Sequence, residues 1–369
     1  MIFECLQENL NKALSVVVRA VPTKGALPVL SNVLITAANG KVTLTVTNLE
    51  TVITTSFGAV IEKEGSLTVP AKMLHEFIGN LNPGKLIISS ERNILSVVSL
   101  PKTKSKLNGM SSIEFPEIPS PNSSQSYLEI NPKILSNLVS HTSFSSSADV
   151  TRPVLTGTLI EYNNKILSFV STDGFRLSEK TQPIEGDFKD FKVVVPTKTL
   201  QDVSKIFSNP EETISLIFNP DDNLVFFQTP SVTVGVRVID GVFPDYKRII
   251  PSSKSMTVNF RSSELKEAVR LTSVFSKDSN SSIKIEITDS GTLKVFSSSQ
   301  DSGEHISEFE AEIDGNPLII SFNSRYLNDF LNNIKSEEIY FESNGGVTPV
   351  VFRSNELENY LHIIMPMKM

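Results

Sequence analysis

Two hydrophobic rhythms alternate along the 369 residues of the chain. Short stretches such as Ile2–Cys5, Tyr127–Ile130 and Met256–Phe260 alternate apolar and polar residues, the period of a strand with one buried face. Longer stretches keep i, i+1, i+4, i+5, i+8 spacing, which gathers apolar residues on one side of a helix. Met73, Leu74, Phe77, Ile78 and Leu81 form one such set; Thr199, Leu200, Val203, Ser204 and Phe207 a second; Tyr326, Leu327, Phe330, Leu331 and Ile334 a third. Each is expected to be a buried helix face. A further series comprises Leu10, Ala13, Leu14 and Val17, then Leu135, Leu138, Val139 and Thr142, then Leu265, Ala268, Val269 and Thr272. The pattern predicts helices over 8–21, 71–81, 132–141, 197–208, 261–275 and 324–335.

These sets recur at a nearly fixed period. Pro70 lies 126 residues before Pro196, and Pro196 lies 127 before Asn323, each closing a strand-like run. Pro28-Val-Leu30 and Pro153-Val-Leu155 stand 125 apart, and Phe115-Pro116 and Phe243-Pro244 stand 128 apart. So many anchors in register mean a repeated domain. Asn39-Gly40, Asn163-Asn164 and Ser290-Gly291 are turn signals between short strands, hence hairpins and antiparallel sheets. The fold class is α+β: three similar domains, each with two β-α-β-β-β-type units and helices on one face of antiparallel sheets. Pro- and Ser-rich stretches at 116–126 and 251–255 read as linkers, placing domains at 1–122, 126–251 and 256–369.

Charge changes this picture. The chain carries 34 Lys plus Arg against 41 Asp plus Glu, a net −7, which disfavours a body coated all over by nucleic acid. The six helical spans nevertheless hold Lys12, Arg19, Lys72, Lys133, Lys198, Lys205, Arg261, Lys266, Arg270, Arg325 and Lys335 against Glu8, Glu76, Asp202, Glu264, Glu267 and Asp329. Helices lining one side of the sheets would present a basic surface on an acidic body, fit for phosphate contacts that carry no sequence information. Solvated helix faces of mixed charge are the plainer reading of the same residues.

Catalytic apparatus is not visible. Gly79-Asn-Leu-Asn-Pro-Gly84-Lys85-Leu86 approaches a phosphate-binding loop, but Leu86 replaces the required hydroxyl residue and the segment runs from helix into strand, the reverse of the needed order. His75, His141, His305 and His362 fall in different elements without metal-ligand spacing, and Cys5 is the single cysteine. Asp221 and Asp222 sit beside Pro220 in an expected hairpin turn and have no third group to act with. No cofactor and no metal are expected, and the chain reads as a non-catalytic protein. A start at Met1-Ile2-Phe3-Glu4 without a basic, apolar leader makes a cytoplasmic location the expectation, and no apolar run is long enough to span a membrane.

Three stretches carry apolar residues where loops are usually polar: Thr172-Asp-Gly-Phe-Arg-Leu177, Gly241-Val-Phe-Pro-Asp-Tyr-Lys-Arg-Ile-Ile-Pro251 and Ile363-Ile-Met-Pro-Met-Lys-Met369. An apolar tail must be packed, and Met-rich surfaces bind peptides adaptably; plain core packing at a domain junction is the alternative.

With Arg152-Pro-Val-Leu155, Phe322-Asn-Ser-Arg-Tyr326 and Met365-Pro-Met367, these stretches resemble the bacterial DNA polymerase III beta subunit family, the sliding clamps, over the whole chain. The resemblance implies a ring-forming DNA clamp fold. Two subunits would join head to tail as a homodimer around duplex DNA, independent of its sequence, with helices lining the hole. It implies a pocket between domains 2 and 3 for short peptides of polymerases, the clamp loader and repair proteins. The pocket positions would be Leu155, Thr172, Gly174, Phe175, Arg176, Leu177, Pro244, Arg248, Ile249, Asn323, Tyr326, Val347, Pro349, Ile363, Ile364, Met365, Pro366 and Met367. Phe175 stands where the family commonly has His. Lys24 would touch DNA together with the helix cations above. Leu107 on one side and Val274 with Phe275 on the other would meet at the subunit junction, where Gly109 replaces a larger apolar residue.

Overall fold

The computed structural model describes residues 1–22, 27–99, 103–121, 128–186, 188–276, 281–299 and 303–368. The chain divides into two compact units, Met1–Lys133 with Asp202–Val238, and Ile134–Gln201 with Ile239–Met369. Every strand pairing within them is antiparallel.

In the first unit one sheet has eight strands, in the order Leu128–Ile130, Ile214–Asn219, Leu224–Gln228, Val232–Arg237, Thr51–Gly58, Lys41–Thr47, Asn32–Ala38 and Gly65–Pro70. Four strands come from the middle third of the sequence and four from the first, joined where Val232–Arg237 pairs with Thr51–Gly58. The other sheet runs Val60–Lys63, Ile2–Leu6, Lys85–Glu91, Ile94–Ser99, Thr103–Asn108. Helix α1, Gln7–Val17, buries Leu10, Ala13, Leu14 and Val17; α2, Ala71–Gly79, buries Leu74 and Ile78. Each such side chain contributes roughly 1.5–3 kcal/mol by leaving water. Gln7 donates from Nε2 to the Ile78 carbonyl at 2.7 Å, fastening the start of α1 to the end of α2.

In the second unit nine strands run Phe191–Pro196, Gly157–Asn163, Ile166–Thr172, Arg176–Pro183, Tyr360–Ile364, Val350–Arg353, Glu338–Ser343, Met256–Arg261 and Glu312–Asp314. Here the middle third meets the last, through Arg176–Pro183 and Tyr360–Ile364. A four-stranded sheet follows: Gly303–Glu310, Thr292–Ser299, Ser282–Ile287, Leu318–Asn323. The core gathers Val258, Leu265, Val269, Phe322, Leu327, Phe330, Phe341 and Phe352 from sheet and helix. Helices α3, Pro132–Thr142, and α4, Thr197–Ile206, belong to the middle third; α5, Ser262–Phe275, and α6, Ser324–Asn333, to the last.

All six expected helices form, and three details differ. Met73 is 60% exposed, so the first position of each five-residue set flanks the buried face instead of belonging to it. Arg261 ends its strand and precedes α5, Arg19 lies in a 3-10 turn (Val18–Ala20) after α1, and Lys335 follows α6. The hairpin expected at Asn163-Asn164 turns one residue later, at Asn164 (φ 50) and Lys165 (φ 64), whereas Asn39 (φ 53) and Gly40 (φ 73) turn where expected. Two successive positive φ values match the right-handed twist of the flanking strands. Among the described residues no helix is long and apolar enough to cross a membrane.

Candidate functional site

The second unit brings the predicted peptide-binding residues together around one strand joint. Thr172 ends a strand and Arg176 begins the next. Between them the Thr172 hydroxyl donates to the Arg176 carbonyl (2.6 Å) and accepts from the Gly174 amide (3.0 Å), while Asp173 Oδ1 accepts from the amides of Phe175 (2.9 Å) and Arg176 (3.0 Å). Asp side chains commonly close turns in this way. Gly174 has φ 95, a conformation open to glycine at little cost. The turn thrusts Phe175 outward, 59% exposed, and seals Leu177 inside.

Leu177 pairs with Ile363 and Arg176 with Ile364. Beyond that strand the Met365 amide donates to the Phe175 carbonyl and the Met367 amide to the Ser321 carbonyl, both at 2.8 Å. The tail is thus pinned along the turn and towards α6, whose N-cap is Asn323, accepting from the Arg325 amide at 2.9 Å. Leu155 lies in a 3-10 turn, Pro153–Thr156, whose Val154 packs on the cluster of Leu177, Phe243, Tyr246 and Ile363. Phe243 and Tyr246 anchor the loop that carries exposed Pro244, Arg248 and Ile249. Tyr246 donates to Glu179 Oε1 at 2.7 Å; burial, then the Glu179 charge, holds its phenol well above the ordinary range. Val347, 70% exposed, and half-buried Pro349 lead into the strand Val350–Arg353, which pairs with Tyr360–Ile364. Exposed apolar side chains gathered near a sheet joint are the usual mark of a binding surface.

Arg176 is not an open cation. Its side chain is 9% exposed, Nε donates to Asp173 Oδ2 at 3.0 Å, Nη1 to Asp329 Oδ2 at 2.5 Å, and the guanidinium lies 4.7 Å from the Tyr326 ring centroid. Arg248 pairs with Asp245 at 2.6 Å in solvent, a contact of small energetic weight. Behind the joint, His362 Nδ1 meets the Ser178 hydroxyl at 2.8 Å, which meets Ser145 at 2.7 Å. Burial, and then Arg176, push the His362 pKa well below its ordinary value, so the ring is neutral. Sequence reasoning missed Asp173, Phe243, Tyr246 and Asp329. The Thr-Asp-Gly spelling could have revealed Asp173 as a turn closer; Asp329, 153 positions from Arg176, left no such signal.

The other predicted residues distribute as follows. Lys12, Arg19, Lys72, Lys133 and Lys205 are exposed in the first unit, and Lys198, Arg261, Lys266, Arg270, Arg325 and Lys335 in the second. Arg19 meets Asp202 at 3.6 Å and Arg270 meets Glu267 at 3.9 Å; among the described residues the rest carry no ion pair. Lys24 lies outside the described residues. Leu107 is already buried in its own sheet, while Val274 is 60% exposed and the Phe275 ring stacks on His305, centroids 5.5 Å apart. Cys5 is buried and its thiol pushed up to about 12 by that burial, so it is no nucleophile. Gly79 closes α2 and the segment leads into the strand Lys85–Glu91, the helix-into-strand order expected from the sequence.

All three thirds match family models of the DNA polymerase III beta subunit: the N-terminal domain over residues 1–119, the central domain over 129–245 and the C-terminal domain over 247–368. The chain belongs to the DNA polymerase III beta subunit family. It is 30% identical to the beta sliding clamp of Synechococcus elongatus over 372 residues, 99% of this chain and 98% of that one. The crystal structure of DNA polymerase III subunit beta from Pseudomonas aeruginosa superposes with a TM-score of 0.94 at 26% identity, and that of Streptococcus pyogenes with 0.95 at 26%, both covering 100% of each chain. One Pseudomonas aeruginosa clamp was solved bound to griselimycin. Three repeated α+β domains are therefore a family property, and sliding clamps are replication proteins, processivity factors without a catalytic role.

Proposed function

We propose that the chain closes with a second copy into a head-to-tail ring around duplex DNA and tethers polymerase subunits, the clamp loader and repair proteins through the Phe175–Met367 site. The observation that carries ring closure is a pair of unpaired sheet edges. Where thirds of the chain meet, four strands of one join four of the next through Thr51–Gly58 with Val232–Arg237, and four join five through Arg176–Pro183 with Tyr360–Ile364. The equivalent strands left over, Thr103–Asn108 and Gly303–Glu310, each stand at the open end of a sheet. Two copies supply both missing partners twice, the heterologous closure a ring needs.

Register carries over as well. Thr54 faces Thr233 in the first joint and Glu179 faces Leu361 in the second. The strand registers of the repeat make Ile306 equivalent to Thr54 and Glu179, and Lys104 equivalent to Thr233 and Leu361. Between copies Ser105 then faces His305, and Lys106 faces Glu304. The exposed helix cations would touch phosphates weakly enough to slide, within the domain limits 1–122, 126–251 and 256–369, and Lys24 would join them. The cytoplasm, where replication proteins work, is the location consistent with this role.

The test is cysteine pairing. The double variant S105C/H305C, made in a chain whose own Cys5 is replaced by Ser, should oxidise to a covalently closed dimer of about 81 kDa, twice the 40.6 kDa chain, and stay on circular DNA until the circle is cut. Light scattering that finds only monomer at micromolar concentration, with no cross-linked product, would refute the ring.

A further inference from the structure

Resting on the peptide-site reading above, we propose that Asp329 is a positioning residue for that site: by holding Arg176 over Tyr326 it fixes the wall against which a peptide packs. A guanidinium only 9% exposed needs compensation for the water it has lost. Asp173 supplies part of it through Oδ2 alone, because its Oδ1 is occupied by two turn amides. Asp329, reaching from α6, supplies the rest at 2.5 Å.

The planar fork of Arg176 thereby bridges two segments, the 172–176 turn and α6, and covers the Tyr326 ring at 4.7 Å. That turn also holds the tail through Phe175 and Met365. Three walls of the site therefore share one ionic clamp. Without Asp329, Arg176 keeps a single carboxylate and gains freedom to leave the Tyr326 face, so the site must reorder each time a peptide arrives, a cost charged directly to affinity. Asp329 itself is 47% exposed and lies outside the buried face of α6, formed by Leu327, Phe330 and Leu331, so its removal leaves that core intact.

The experiment uses the full chain and a synthetic peptide of Gln, two aliphatic residues and a terminal Leu. Calorimetry on the wild type, D329N and D329E is combined with thermal unfolding and the ring-proton shifts of Tyr326. D329N is expected to bind about tenfold more weakly with an unchanged unfolding midpoint and displaced Tyr326 resonances, while D329E, which restores the charge, recovers most of the affinity. Equal affinity of D329N and wild type overturns the proposal, as does a loss that tracks a lowered midpoint and is not rescued by Glu. Unmoved Tyr326 resonances overturn it without reference to any peptide. A wild type that fails to bind the peptide defeats the peptide-site reading itself, and the Tyr326 shifts then still decide whether the clamp orders the wall.

Discussion

The turn Thr47–Thr51 in the first unit and the turn Thr172–Arg176 in the second share one backbone design and differ in furnishing. In the first, the Thr47 hydroxyl donates to the Thr51 carbonyl and accepts from the Leu49 amide, each at 3.0 Å, and Asn48 Oδ1 accepts from Glu50 (3.0 Å) and Thr51 (2.7 Å). The Arg237 amide then donates to the Glu50 carbonyl at 2.8 Å, as Met365 does to Phe175. What changes is chemistry: Leu49 for Gly174, Glu50 for Phe175, Thr51 for Arg176, Arg237 for Met365. Two joints of equal geometry thus serve different ends. One closes a sheet under a charged rim; the other closes a sheet under an exposed apolar rim, the surface proposed above to take a peptide.

Removing residues 365–369 should have the largest effect on this contrast, because it strips the apolar tail from the second joint only. Loss of such an anchor, roughly 2 kcal/mol or more, should weaken the peptide about thirtyfold, read by calorimetry, while mass measurement still finds a folded dimer. Next in size, F175E gives the second joint the rim of the first. Peptide affinity should fall about tenfold through loss of the aromatic contact, and unchanged binding would show that Phe175 is not part of the recognised surface.

Acid should separate the two units further. His362 and His141 are held below their ordinary value near 6.5, chiefly by burial. The unfolded chain therefore binds protons that the folded second unit does not. The stability these neutral rings allow is present above pH 6.5 and declines as pH falls below it, by up to about 1.4 kcal/mol per pH unit for each ring. Amide exchange at pH 5 and 7.5 should show the strand Tyr360–Ile364 opening more readily at pH 5, with the strand Val232–Arg237 little changed. The smallest effect belongs to Leu49, which holds φ 76 where its counterpart is a glycine. L49G should stabilise the chain by about 1 kcal/mol in urea titration as that strain is released, and G174L should cost a similar amount.

The helices, the hairpins and the repeat were legible because each rests on periodic apolar positions or a turn residue with a specific backbone need. The likeness of the two joints was not. Asn48 and Asp173 close their turns with the same oxygen, so the backbone coincides while only Thr47 and Thr172 match as residues. Tyr326 shows the limit of periodicity from the other side. Its position reads as helix core in the pattern, yet it stands at the flank of α6 beneath Arg176, because a five-residue stripe is wider than the face the sheet covers. Asp329 counts as one more solvent charge on a helix until the fold brings Arg176 to it.

The edges Thr103–Asn108 and Gly303–Glu310 also bear on which wrong assemblies would compete with the proposed ring. An exposed strand invites any other strand, and natural proteins discourage the unwanted ones with charge. Thr103–Asn108 presents Lys104 and Lys106, and Gly303–Glu310 presents Glu304 and Glu310, with Glu308 paired to Lys294 of its own sheet at 3.2 Å. An edge meeting its own kind would set lysine beside lysine or glutamate beside glutamate, so both symmetric dimers are penalised and only the mixed pairing gains. In the proposed ring, directionality of assembly would thereby be written into the edges before the ring closes.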